Sequence, residues 1–200
     1  MTDTKQRILQ EALKLFSQSG YKGTSMNDIA SQLNVTKAAL YKHYKSKQEI
    51  LDSIVEKMNE LDRERAREYD MPDGTREEDV AEYKHIAVAK IKQFTKVQFL
   101  HWTEDEFCCR FRKMLTLEQY RDQEMAQLYQ TYLADGPLSY MEEIFAEIMS
   151  DKEKARQAAL DFYGPIFLLY SIYDGVGDKK QVVKMVEQHV EKFAKRIETE

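Results

Sequence analysis

Residues 37–47 hold Lys37, Lys42, Lys45 and Lys47, with His43, Tyr41 and Tyr44 set among them. No Asp or Glu occurs from 29 to 48. Cations interleaved with aromatic rings and small residues (Ala38, Ala39) suit a grooved polyanion. Ammonium groups meet phosphates, and small side chains let a backbone approach base edges in a major groove about 12 Å wide. The remainder of the chain has the opposite charge. Residues 1–50 carry eight Lys and Arg against four Asp and Glu, while residues 51–200 carry 22 against 31, for a net charge of −5. A charge run alone is most often a solvated face. A basic head on an acidic body, with no acid in the window, points instead to a head that meets nucleic acid.

Other chemistries find less support. Cys108 and Cys109 are the only cysteines and are adjacent, which excludes a disulfide framework and reads as reduced thiols. Arg110 and Arg112 beside them would lower a thiol pKa, so a redox sensor is an alternative. No third ligand has metal-site spacing, His85, His101 and His189 are scattered, and neither metal nor cofactor is expected. The chain has no Gly-rich phosphate loop, HExxH or GxSxG, which argues against an enzyme. No apolar run reaches the roughly 18 residues of a membrane span, and MTDTKQRILQEALKLF does not read as a signal peptide. A cytoplasmic protein is expected.

With only seven Gly and three Pro in 200 residues, long helices must do the positioning. Ile8, Ala12, Leu15 and Phe16 predict a helix over about 4–19, ended by Gly20. Ser25 with Asp28 predicts a capping box opening a second helix with Met26, Ile29, Ala30 and Leu33. Thr36 caps a third, ending near Tyr44. Only Asn34 and Val35 separate the second helix from Thr36, which is helix-turn-helix spacing. Helical spacing turns Leu40 and Tyr44 inward and puts Lys37 and Tyr41 on another face, with Ala38 and Lys42 beside them. Lys37 stands where recognition helices touch bases, and Lys47 opens a fourth helix whose N-terminus suits phosphate.

Ser46 with Glu49 opens that fourth helix over about 47–69, and MPDGT (71–75) reads as a linker. Thr75 with Glu78, Thr103 with Glu106, and Thr116 with Gln119 predict helices at about 76–100, 104–115 and 117–149. The last of these bends at ADGP, where Pro137 removes a donor. Asp151 caps a helix to about 174, kinked at Gly164-Pro165. A turn at 175–178 leads to a last helix over 179–197. The fold class is all-α, with about nine helices. A helix-turn-helix domain over 1–48 precedes a helical domain over 49–200.

Residues 4–51 resemble the DNA-binding domain of the TetR/AcrR family of bacterial transcriptional regulators. The resemblance runs through the stripe ending LF, the G-Y-x-G-T-S turn, D-I-A, and L-Y-x-H-Y-x-S-K. It implies a ligand-responsive regulator, a repressor that binds a palindromic operator as a homodimer and is released by a small effector. It implies that Thr24 caps helix two and touches phosphate. Thr36, Lys37, Ala38 and Ala39 would begin the recognition helix, and Tyr41, His43 and Lys47 would bind phosphate. Asn27 would be a further base contact, and Tyr44 would be core. A helical adaptor that has lost DNA binding is the competing reading.

The body has two stripes at helical spacing, Phe162, Ile166, Leu169 and Tyr173, and Val186, His189, Val190 and Phe193. Each is either internal core or a self-complementary surface. The resemblance implies a four-helix dimer interface there. Twelve Tyr and nine Phe suit an apolar pocket with some hydroxyls, for a lipophilic or aromatic effector. Phe94, Trp102, Phe107, Phe111, Met114, Tyr129, Tyr132, Tyr163 and Phe167 are its candidate lining.

Overall fold

Helix is the only regular structure among the residues described by the computed structural model, 3–69, 80–149 and 151–199. The helices are α1 (Asp3–Ser19), α2 (Met26–Gln32), α3 (Lys37–Tyr41), α4 (Lys47–Glu68), α5 (Val80–Glu104), α6 (Glu106–Glu118), α7 (Gln123–Leu133), α8 (Asp135–Ile148), α9 (Lys152–Gly175) and α10 (Lys179–Thr199). None is long and apolar enough to cross a membrane. The expected linker at 71–75 and the Thr75–Glu78 box lie outside the described residues. The chain forms two compact units. One joins the chain up to Arg65 with Asp105–Tyr129, and the other joins Ala66–Glu104 with the chain from Gln130 onward. The units therefore do not divide at residue 48: most of α4 and all of α6 belong with the head.

In the first unit α1 packs on α6. The buried face of α1 is Ile8, Leu9, Ala12, Leu13 and Phe16; Leu15, expected there, is half-buried. From α6 come Cys108, Phe111, Met114 and Leu115, all without solvent exposure. Leu40 and Tyr44 are buried as the spacing predicts, and Phe16 meets Tyr21 edge-on at 5.1 Å between ring centroids.

Two of the expected helix starts belong elsewhere. Thr103 lies inside α5, its hydroxyl donating to Phe99 O (2.7 Å), and Asp105 caps α6 by accepting from Cys108 N (2.9 Å). Thr116 lies inside α6, donating to Arg112 O (2.9 Å), and Asp122 accepts from Glu124 N and Met125 N at the start of α7. The helix expected over 117–149 is two helices meeting at Ala134. Pro137 falls in the first turn of α8, where a missing N–H leaves no intrahelical bond unmade. Gly164 and Pro165 lie within α9, which Asp151 caps as expected.

The second unit packs α5, α8, α9 and α10 around an aromatic cluster. Phe162 is 4.9 Å from Phe193 and 5.8 Å from Phe145, and Phe99 stacks on Tyr170 at 5.1 Å. This corrects the interface assignment. Phe162, Ile166, Leu169, Tyr173, Val186, Val190 and Phe193 are all buried within one chain. His189 is half-buried and its Nε2 donates to Phe162 O at 2.8 Å. Helical spacing identifies residues that share a face, and here the face is core. The exposed apolar residues of these helices are Leu160, Phe167 and Leu168 on α9 and Met185 on α10.

Phe193→Ala is expected to lower the unfolding free energy by about 3–5 kcal/mol, the usual cost of emptying a core phenylalanine site. Denaturant melts should give the same deficit at protein concentrations about tenfold apart, whereas a side chain buried only by association would lose less at the higher concentration.

Candidate nucleic-acid interface

The turn between α2 and α3 is closed by main-chain bonds. Asn34 takes φ 55°, its N–H donates to Ser31 O (3.1 Å), and Val35 N–H donates to Ala30 O (3.0 Å). Asn tolerates this left-handed conformation better than most residues. Thr36 then caps α3, its Oγ1 accepting from Ala39 N (3.1 Å). The helix is shorter than expected, ending at Tyr41, and His43 N and Tyr44 N both donate to Leu40 O beyond it.

The short helix presents the cationic surface that the composition suggests. Lys37, Ala38, Tyr41, Lys42 and Lys45 are exposed, and Ala39 and His43 are half-buried. The Lys37 ammonium stands 5.8 Å from the centre of the Tyr41 ring, so the two share one face. Asn27 on α2 is also exposed. Among the described residues none of Lys37, Lys42 or Lys45 forms an ion pair within 4 Å. Lys5, unmarked by any motif, lies over the Tyr44 ring at 5.2 Å.

Two expected phosphate contacts are engaged internally. The cap of α2 is Ser25, one residue past Thr24. Ser25 Oγ accepts from Asp28 N (3.2 Å), and Asp28 Oδ2 accepts from Ser25 N (2.7 Å). Those bonds from the Ser25 side chain and backbone hold the Asp28 carboxyl below its usual range. Thr24 is buried and donates to Gly20 O at 2.9 Å. Lys47 Nζ donates to Tyr21 O (2.6 Å) and Thr24 O (2.8 Å) and lies 4.3 Å from the centre of the Tyr21 ring. Burial lowers the Lys47 pKa, and the Glu118 charge opposes that shift. The positive end of α4 is also answered from within. Glu49 N donates to Ser46 Oγ (3.1 Å), and the Glu49 carboxylate accepts from Lys45 N (2.6 Å).

Sequence reading missed the polar cluster behind this loop. Tyr21 OH donates to Gln48 Oε1 (2.9 Å), and Gln48 Nε2 donates to Glu124 Oε1 (2.8 Å). Lys22 Nζ donates to Arg121 O (2.6 Å) and pairs with Asp122 (3.3 Å). No local pattern marks such pairs, which join residues 99 positions apart in the case of Lys22 and Arg121.

The candidate pocket residues are divided between the units. Phe107, Phe111, Met114 and Tyr129 lie in the first; Phe94, Trp102, Tyr132, Tyr163 and Phe167 lie in the second. Phe111 and Met114 are wholly buried in the core of the head. Phe107 lies under the Lys57 ammonium at 4.6 Å, and burial raises the Tyr129 phenol. Trp102 meets Tyr132 at 6.4 Å and Phe94 meets Tyr69 at 6.1 Å. Tyr163 and Phe167 line a cleft of about 300 Å³ with Gln130, Ala134, Asp135, Leu138, Leu160 and Gly164. A gap of about 10 Å³ among Phe145, Phe162 and Phe193 is scarcely the size of a water. Cys108 is wholly buried, and desolvation with Asp105 beside it pushes the thiol up, away from the thiolate a sensor needs.

Residues 8–54 match the sequence profile described as bacterial regulatory proteins, tetR family. The biofilm operon icaADBC HTH-type negative transcriptional regulator IcaR of Staphylococcus epidermidis is 46% identical over 52 residues, which is 26% of this chain and 28% of that relative's length. IcaR of Staphylococcus aureus strain Newman is 45% identical over 51 residues, 26% of this chain and 27% of the relative. Solved structures share the whole fold. The SmeT–triclosan complex is 18% identical with a TM-score of 0.68, covering 96% of this chain and 90% of that one. The fatty acid degradation regulator FadR of Bacillus halodurans is 18% identical with a TM-score of 0.63, covering 95% of each chain. A regulator from Saccharomonospora viridis in complex with choline is 18% identical with a TM-score of 0.64, covering 98% of this chain and 97% of that one.

The buried loop residue Tyr21 makes the first unit sensitive to alkali. Burial, then Glu124, Asp52 and Asp122, push its phenol from the ordinary 10.0 up to about 12. The unfolded chain therefore loses this proton first. The stabilisation is complete below about pH 10 and is lost as the pH rises to about 12. Chemical melts across that range should show stability falling more steeply in the parent than in Tyr21→Phe.

Proposed function

Because residues 8–54 match the profile of the tetR family of bacterial regulatory proteins, we propose that the chain is a ligand-responsive, DNA-binding repressor. One observation carries the reading. The matched segment folds as a helix-turn-helix whose short third helix presents Lys37 and Tyr41 to solvent, with Lys42 and Lys45 exposed just beyond it, in a window free of acids. Lys37, Ala38 and Ala39 at the start of α3 read base edges, with Thr36 ahead of them and Asn27 alongside. Tyr41 and His43 meet phosphate, and Lys42 and Lys45 add charge. Thr24 and Lys47 act through the loop they hold, and the acidic body stays off the DNA. Repression is favoured because the IcaR relatives are negative regulators.

One helix-turn-helix reads few base pairs, so a palindromic operator read by a homodimer is the natural target. The exposed face of α9 and α10, with Leu160, Phe167, Leu168 and Met185, is the self-association surface. The effector is a small aromatic or lipophilic molecule, and the cleft lined by Tyr163 and Phe167 is its seat. Asp135, the sole charged residue of that lining, favours a cationic group. The same cleft includes Leu160 and Phe167, so its occupant would touch the association surface.

Selection of bound duplexes from a random pool should enrich a palindrome. Affinity for it should fall steeply with salt, by a slope of about 0.9 per phosphate neutralised. Lys37→Ala should shift the preferred sequence by about 1–3 kcal/mol at one position of each half-site, and Tyr41→Ala should weaken all sequences alike. An unenriched pool with salt-independent binding would favour an adaptor. Leu168→Glu should yield monomers in sedimentation and lose the palindrome while Tm stays within a few degrees.

A further inference from the structure

Glu118, the last residue of α6, has a side chain with no exposed surface. Arg121 Nη1 approaches its Oε1 at 3.4 Å but is itself largely exposed. Among the described residues, Oε2 has no hydrogen-bond partner. Burying a half-answered carboxylate carries a large desolvation penalty, and an apolar residue of similar volume would fill the space without it. Packing therefore does not account for a carboxylate here.

Its surroundings do. A Cβ built on Gly20 would stand 2.0 Å from Glu118 Oε1, so the carboxylate rests directly on that glycine's backbone. Gly20 has φ +80 and is the first residue beyond α1, where the chain enters the loop to α2. The other hold on that loop is Lys47, bonded to Tyr21 O and Thr24 O and sensing the Glu118 charge. The end of α6 thus reaches the loop by direct contact at Gly20, and Lys47 holds the same loop at Tyr21 and Thr24.

We propose that Glu118 is a positioning residue for DNA binding, its carboxylate seated under Gly20 so that it sets, together with Lys47, the loop that orients α2 and α3. This deepens the repressor reading and rests on it.

The test uses the full-length chain and the operator selected from the random pool. Glu118→Gln and Glu118→Leu should fold with a Tm equal to or above the parent's, because a buried charge is removed. Both should bind the operator about tenfold more weakly or worse, within the usual range of coupling between sites. The salt slope and preferred sequence should match the parent's, since no DNA contact is lost. Unchanged affinity would overturn the proposal, as would affinity and Tm falling together, the mark of a merely structural role. Should neither variant fold, Lys47→Met reads the same joint. Lost affinity at an unchanged salt slope supports it, and a slope reduced by about 0.9 makes Lys47 a phosphate ligand and overturns it. A parent chain that selects no duplex removes the repressor reading itself, and the proposal with it.

Discussion

The proposed DNA-facing surface depends on one ammonium group. Between α1 and α2 the chain turns within a few residues, and its carbonyls there lie outside any helix. Lys47 Nζ takes two of them, Tyr21 O and Thr24 O, beneath the Tyr21 ring. A lysine suits this place because its three donors can serve carbonyls that point in different directions, while its stem lies along apolar surface. With the loop held, Ser25 falls where it can cap α2. The Asn34 turn, closed by main-chain bonds, and the Thr36 cap then set α3. Lys37 on α3, with Lys42 and Lys45 just beyond it, takes its position from this succession of constraints.

Features made by neighbours in the chain were legible in the sequence. Ser25, Thr36 and Asp151 cap the helices expected of them, since a cap and its N–H partners lie within a few residues. The same reasoning failed at Thr103 and Thr116. A Thr followed three residues later by Glu or Gln also occurs inside a helix, where the hydroxyl bonds the carbonyl four residues back. Nothing in the pattern itself separates the two cases. Asp105 and Asp122, close by, were the true starts.

What covers a face was less legible than which residues share it. The stripes on α9 and α10 were read correctly as stripes, but Phe162 and Phe193 meet each other within one chain. The exposed apolar residues fall between the stripe positions: Leu168 sits beside Leu169 and Phe167 beside Ile166. A one-residue rotation about the helix, roughly 100°, separates core from surface, and aromatic content does not fix that angle. The pocket residues suffered the same ambiguity, since Phe111 and Met114 are as apolar in a core as in a binding site.

The arrangement of charge resolves a conflict built into any cationic interface. Lysines crowded on a short helix repel one another and need acidic groups nearby, yet an acid paired with them would cancel the surface. Here the acids stand apart from the exposed lysines. Asp122 pairs with Lys22, Glu124 accepts from Gln48, and Glu118 lies under Gly20. They hold the loop and the start of α4, while Lys37, Lys42 and Lys45 form no ion pair among the described residues. The acid-free window is therefore one half of a division of labour. Its other half is an acidic corner supplied by α6 and α7, far away in sequence, that fixes the frame without neutralising what the frame presents.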